Sequence, residues 1–198
     1  MGYAESQRYF NTAAGQTEVL QGSNGLLYET TPAFTVQASI TRSSTVTTYT
    51  AGQLILGSGA TVLPALDLSS LVGLSLANRK IAITGAFLVS SNGANSAFNG
   101  SIDFFNVNSP AGTAYADYVA FTPTAAALAS NFVGTLDNMN NTRKYGTVSN
   151  LSMQTEVLRK CTLDANSKLY FAPIVGASGY TPASGEVLTL ILKFYLLN

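Results

Sequence analysis

The stretch SGEVLTLILKFYLLN, residues 184–198, holds a single charge, Lys193, between Val187 and Leu197. Side chains of an extended chain alternate between two faces. Leu188, Leu190, Leu192, Phe194 and Leu196 therefore share one face, and Thr189, Ile191, Tyr195 and Leu197 the other, with Lys193 among them. A strand wetted on one side alternates apolar with polar residues. This one is apolar on both, which predicts a strand in the middle of a sheet, its inner face in the core and its outer face covered. Three covers are open at this point: the N-terminal segment, a long loop, or a second copy of the protein. At eleven residues the ribbon is shorter than the roughly 20 needed for a membrane-spanning helix, so no membrane partner is expected.

Working outward from that ribbon, period-two patterns recur. In FTVQASITR, Phe34, Val36, Ala38 and Ile40 alternate with Thr35, Gln37, Ser39 and Thr41. KIAITGAFLVS begins at Lys80, with Ile81 and Ile83 facing inward and Gly85 placed for a bulge or a point of close packing. GSIDFFNV, DYVAF, FVGTL, VSNLSM, EVLRKCTL, KLYFAPIV and QLILG complete a set of about ten short strands. The joints SSNGANS, NSPAG, LDNMNN, LDANS and GASGYTPASG supply the Gly, Asn, Asp and Pro of chain reversals. Two stretches read differently. DLSSLVGLSLANR spaces Leu68, Leu71, Val72 and Leu76 as a helix does. TPTAAALAS offers Thr122 as an N-cap, Pro123 at the first helical position and an alanine run behind. The expected fold is all-β: a β-sandwich over residues 31–198 with one or two short helical turns. Residues 1–30, rich in Gln, Asn, Gly and Thr with scattered aromatics, read either as an extended arm that orders against a partner or as an irregular N-terminus packed on its own domain.

Composition narrows the function. Only 10% of the 198 residues are charged, ten basic against ten acidic, where soluble domains average about 25%. The balance holds in both halves of the chain, so neither nucleic acid nor an anionic membrane surface is an expected partner. A chain with so little self-repulsion suits a subunit of an assembly. The single cysteine, Cys161, has no partner for an internal disulfide and reads as a small buried strand residue. The first thirty residues contain no basic segment leading into an apolar one, so no secretory signal is expected.

Chemistry is sparse. There is no histidine, the usual proton-exchanging group near neutral pH. No nucleophile-elbow pattern occurs, and GSGAT at Gly57 lacks the lysine that ends a phosphate loop. Asp103, Asp117, Asp137 and Asp164 are expected as solvated or capping carboxylates. Asp137 with Asn138 is the one place where loop oxygens suggest calcium; no catalytic residue, cofactor site or metal site is assigned. The expectation is a protein that works by surface and not as an enzyme.

Three segments in order carry a resemblance: FTVQASITRSSTVTTYTAGQLI, FNVNSPAGTAYADYVAFTPTAAALASNFVGTL and LYFAPIVGASGYTPASGEVLTLILKFYLL. Together, over roughly Ala33 to Leu197, they resemble a group of tailed-phage virion proteins similar to capsid decoration (cement) proteins. The chain departs from that group in its long N-terminal segment and in ADYVAF, where a more acidic pair is common. The resemblance implies a jelly-roll-like sandwich, often a homotrimer, made in the host cytoplasm and bound to the exterior of the virion capsid through the major capsid protein. On that reading Tyr3, Tyr9 and Phe10 are the expected capsid contacts, because buried aromatics dominate interface energy. Ile191, Tyr195 and Leu197 are the expected contacts between subunits. An alternative on the same fold is a tail or fibre adhesion module that binds carbohydrate, with Tyr180 in GASGYTPAS as its aromatic platform.

Overall fold

A computed structural model describes residues 18–21, 27–30, 34–69, 71, 76–91, 98–112, 114–137, 139, 141–145 and 149–197. Tyr3, Tyr9 and Phe10 lie outside them. The described residues form eleven strands and one helix: β1 Glu18–Gln21, β2 Leu27–Thr30, β3 Phe34–Thr41, β4 Ala65–Asp67, β5 Lys80–Ser90, β6 Gly100–Phe105, α1 Ala125–Asn131, β7 Phe132–Leu136, β8 Asn141–Tyr145, β9 Ser149–Thr162, β10 Lys168–Val175 and β11 Val187–Leu197. β1 and β2 form a two-stranded antiparallel sheet of their own. The others form a four-stranded sheet, β4-β10-β6-β7, and a five-stranded sheet, β3-β11-β5-β9-β8, antiparallel throughout.

The closing ribbon, β11, runs inside the larger sheet between β3 and β5, as its two apolar faces predict. Its inner residues Leu188, Leu190, Leu192 and Phe194 are fully buried. They share one core with Ile81, Ile83 and Leu88 of their own sheet and with Leu66, Ile102, Phe104, Leu169 and Phe171 of the other. The fold is thus an all-β sandwich, its alternating residues meeting between two sheets. The jelly-roll wiring does not follow from these strand orders. Gly85 sits at a register shift against β9, as its place in the strand predicts. At Gly100 a side chain is sterically impossible without movement, because a Cβ there would stand 2.0 Å from the Ile174 carbonyl oxygen. The backbones of β6 and β10 approach that closely at their ends.

Several expectations change. DYVAF is a turn followed by one bridge, Gln53↔Ala120, not a strand. Tyr118 adopts φ 66°, and its N–H donates to Leu54 O while Leu54 N–H donates to Val119 O. The segment hooks onto a neighbour instead of extending. QLILG likewise makes only isolated bridges. Leu54, Ile55 and Leu56 are all fully buried: Ile55 enters the main core, while Leu54 and Leu56 join Leu63, Phe105 and Ala172 in a second cluster. Residues 149–153 of VSNLSM and 156–162 of EVLRKCTL belong to one long strand, β9, and β8 starts at Asn141, the last residue of the LDNMNN joint, and runs on to Tyr145, where no strand is expected. The helical spacing near Leu68 yields no helix among the described residues; Ala65–Asp67 is a strand there, and Leu68 and Leu76 are core.

The alanine run does form α1, but its cap is Thr124, not Thr122. The Thr124 hydroxyl accepts from Ala127 N–H at 3.2 Å, whereas the Thr122 hydroxyl reaches Gly112 O. Pro123 therefore precedes the cap, and Thr124 N–H is held by Ala111 O at 2.9 Å. Thr124→Ala is expected to lower stability by about 1 kcal/mol, and Thr122→Ala by less. Paired urea melts check the order; equal effects would restore Thr122 as the cap.

Candidate interaction surface

The outer face of the five-stranded sheet is built by register. Ile191 pairs with Phe87 on one side and Gln37 on the other, and Thr189 with Val89 and Ser39. Ile191, Phe87 and Val89 are half-buried, and Tyr195 is 38% exposed. Leu197 is half-buried at the end of the strand, opposite Lys80. The three residues expected at a subunit contact, Ile191, Tyr195 and Leu197, thus lie along one outward line of β11. Around this apolar centre the face is neutral: the Ser39 and Thr189 hydroxyls are 2.8 Å apart, and Thr35 and Gln37 are exposed.

One feature of this face is invisible in the charge balance along the chain. Antiparallel pairing brings Lys80, Lys160 and Lys193 to one end of it, since Ala82 pairs with both Tyr195 and Lys160 and Lys80 pairs with Leu197. All three lysines are exposed. Lys193 Nζ stands 5.4 Å from the centroid of the Phe87 ring, a distance at which the ring face attracts a cation. Long-range gathering of this kind has no signal in a single sequence beyond the parity of each strand.

Behind the sheet, at the end where β3 leaves and β11 begins, a buried polar network ties three loops. Arg42 follows β3 directly, and its side chain is fully buried. Its Nη2 donates to Asp117 Oδ2 at 2.7 Å and to the Tyr118 hydroxyl at 2.6 Å. Asp117 Oδ1 also accepts from the Tyr49 hydroxyl at 2.5 Å and from Leu56 N–H at 3.0 Å. The guanidinium lies 4.7 Å from the Tyr49 ring centroid and 5.0 Å from that of Tyr118. A second carboxylate, Glu186, is also buried. Its Oε1 accepts from the Tyr180 hydroxyl at 2.5 Å and from the Ser90 hydroxyl, and its Oε2 from Ala183 N–H at 2.8 Å. The two groups are joined through the backbone, where Arg42 N–H donates to Glu186 O and Tyr49 bridges Tyr180.

Asp117 is therefore neither solvated nor a cap; it is the counter-ion of a buried arginine. Asp164 does cap, accepting from Asn166 N–H and Lys168 N–H in a tight turn. Asp103 is half-buried, and burial holds its pKa above the usual range. Asp137 borders a groove of about 410 Å³ with Asn99, Ser101 and residues 174–178. Asn138, its suggested calcium partner, lies outside the described residues, and no cluster of three or more potential metal ligands occurs among those described. Tyr180 cannot serve as a sugar platform: it is 1% exposed, with its ring edge-on to Phe98.

Burial works against the charge of Arg42, but its hydrogen bonds to Asp117 and Tyr118 outweigh this and hold its pKa above the ordinary value. Burial, then hydrogen bonding to Asp117, pushes Tyr49 well above 10; burial, then the Glu186 charge, does the same for Tyr180. Burial alone raises Tyr115 to about 12. A tyrosine whose folded pKa is raised contributes stability that is whole below its unfolded pKa of about 10 and is lost as pH rises above it. The protein is thus expected to lose stability steeply above about pH 10, with Tyr49 and Tyr180 ionising only as the chain unfolds. Tyrosinate absorbance followed alongside circular dichroism checks this; full ionisation in a still-folded protein would refute it.

Compared with models of known protein families and with curated proteins, the chain matches none.

Proposed function

We propose that this protein is a structural virion subunit of a tailed phage, a capsid decoration (cement) protein that binds the outer surface of the head shell and stabilises it. It is made in the host cytoplasm, assembles as a homotrimer, and acts by attachment, not by turnover of a substrate. The observation that carries this reading is the outward face of β11: a central strand whose Ile191, Tyr195 and Leu197 remain only partly covered beside half-buried Phe87 and Val89. A lone subunit gains nothing by leaving that apolar line next to water, and a contact between copies removes it.

The role fits the physical demands of such a subunit. Three copies bound together make three shell contacts at once, so weak attachments multiply. Few charges make attachment insensitive to salt. Rigidity comes from the two-sheet core and the Arg42–Asp117 network, since the single cysteine supplies no internal staple. Tyr3, Tyr9 and Phe10 are proposed to anchor the N-terminal segment on the major capsid protein.

Cryo-electron microscopy of the native particle tests the reading. The chain is expected outside the head shell, in clusters of three over three-fold or local three-fold positions. Its absence from purified particles, or its presence only in the tail, overturns the proposal; the second result would favour adhesion.

A further inference from the structure

The two main sheets end in four edge strands, and three of them are blunted in recognised ways. β4 has only three residues. β7 carries Gly134 and a register shift opposite Phe104 and Phe105. β8 carries Arg143 and Lys144. β3 has none of these devices. Its eight residues run in unbroken register with β11, without a proline, a charge or a bulge.

The direction of its backbone groups can be read from its end. Arg42 N–H donates to Glu186 O, on the β11 side, while Thr41 O accepts from Ser58 N–H at 3.0 Å on the other side. Successive residues of an antiparallel strand alternate their N–H and C=O between the two sides. Thr35, Gln37 and Ser39 therefore direct theirs away from β11, and no described strand pairs with them. The same three side chains are exposed on the outer face.

We propose that the β1–β2 hairpin of one copy adds to the β3 edge of the next copy. The inference rests on the self-association in the reading above, not on attachment to a particle. A two-stranded hairpin is marginal by itself in water and needs a sheet to join. Only residues 31–33 separate β2 from β3, yet the two strands belong to different sheets. Charge also matches. β1 and β2 contain Glu18 and Glu29 and no cation. Beside the β3 edge the exposed cation is Lys193, on the neighbouring strand opposite Thr35. Passing a hairpin from each copy to the next is a head-to-tail contact, which closes into a ring when its rotation closes; the homotrimer proposed above requires a ring of three.

Three measurements on the full-length protein test this. Hydrogen exchange of the purified oligomer should show the amides of Thr35, Gln37 and Ser39 as slow as those of β11. Zero-length carbodiimide coupling in a mixture of isotopically light and heavy chains should join Glu18 or Glu29 to Lys193, the lysine nearest the β3 edge, in mixed-isotope peptides. Gln37→Pro removes one outward N–H, which an edge strand tolerates, and should reduce the particle mass in solution to one third. Fast exchange at those amides overturns the proposal. So do links confined to single chains, which would mean the hairpin folds back on its own β3. Protection that appears only on the capsid also overturns it and assigns the edge to a shell strand. If Gln37→Pro does not fold, exchange and coupling on the unaltered chain decide. Intact protection of those amides in a protein that never binds a particle would sink the virion reading and leave this one standing.

Discussion

Asp117→Ala is expected to cost about 3–5 kcal/mol of folding stability, the cost of leaving a buried charge without its partner. The Arg42 side chain is fully buried, and its Nε and Nη1 already lack hydrogen-bond partners within the described structure. Without Asp117 it keeps only the Tyr118 hydroxyl and two ring faces. The same change frees the Tyr49 hydroxyl and Leu56 N–H, both of which Asp117 Oδ1 accepts. The companion experiment separates charge from packing. The double variant Arg42→Met, Asp117→Leu removes both charges together and is expected to recover most of the loss, because an apolar replacement of a buried ion pair is often neutral. Urea midpoints of the single and double variants measure both effects. A loss below about 1 kcal/mol for Asp117→Ala, the range of an exposed pair, would show that water reaches the arginine.

Adjacent residues of β11 should fail in opposite ways. Leu190 is completely buried in the main core, and Leu190→Ala is expected to destabilise each subunit by about 2–5 kcal/mol through lost burial and a residual cavity. Ile191 points to the other face, between Phe87 and Gln37. Ile191→Asp should leave the melting of the isolated subunit within about 1 kcal/mol while abolishing self-association, since it buries a charge at the proposed contact. Light scattering with detection after size exclusion reads the second effect, and denaturant melts the first. An Ile191→Asp protein that stays trimeric would remove the outer face of β11 from the interface.

The buried network draws its residues from three separate stretches of the sequence. Arg42 and Tyr49 come from the first segment, Asp117 and Tyr118 from the second, Tyr180 and Glu186 from the third. In space they lock the loops at one end of the sandwich. Their order along the chain is the trace of one buried contact set. Nothing in the spacing of Arg42 and Asp117 foretells that they meet, because the acid sits in a stretch that alternates like a strand. That alternation misled: in DYVAF the tyrosine turns inward to the guanidinium, and a left-handed residue breaks the extension. QLILG misled for a related reason. Three consecutive apolar residues are buried on both sides of a segment lying between two clusters, and burial alone does not require a ladder.

Local chemistry was sufficient wherever a segment answers to the core alone. The parity of Phe34–Thr41, Lys80–Ser90 and Val187–Leu197 determined three strands, which side of each is buried, the bulge at Gly85 and the all-β class. Period two is imposed on the backbone by its own geometry, so it survives in the residue order. Tertiary structure decided what depends on partners distant in the chain: the strand order, the ion pair of Arg42 with Asp117, the burial of Tyr180, the gathering of three lysines on one sheet end, and an edge at β3 that no described strand pairs with. Those arise because residues tens of positions apart must share one interior and one ladder, and no local pattern records which of the many compatible pairings buries the most apolar surface with every buried charge answered.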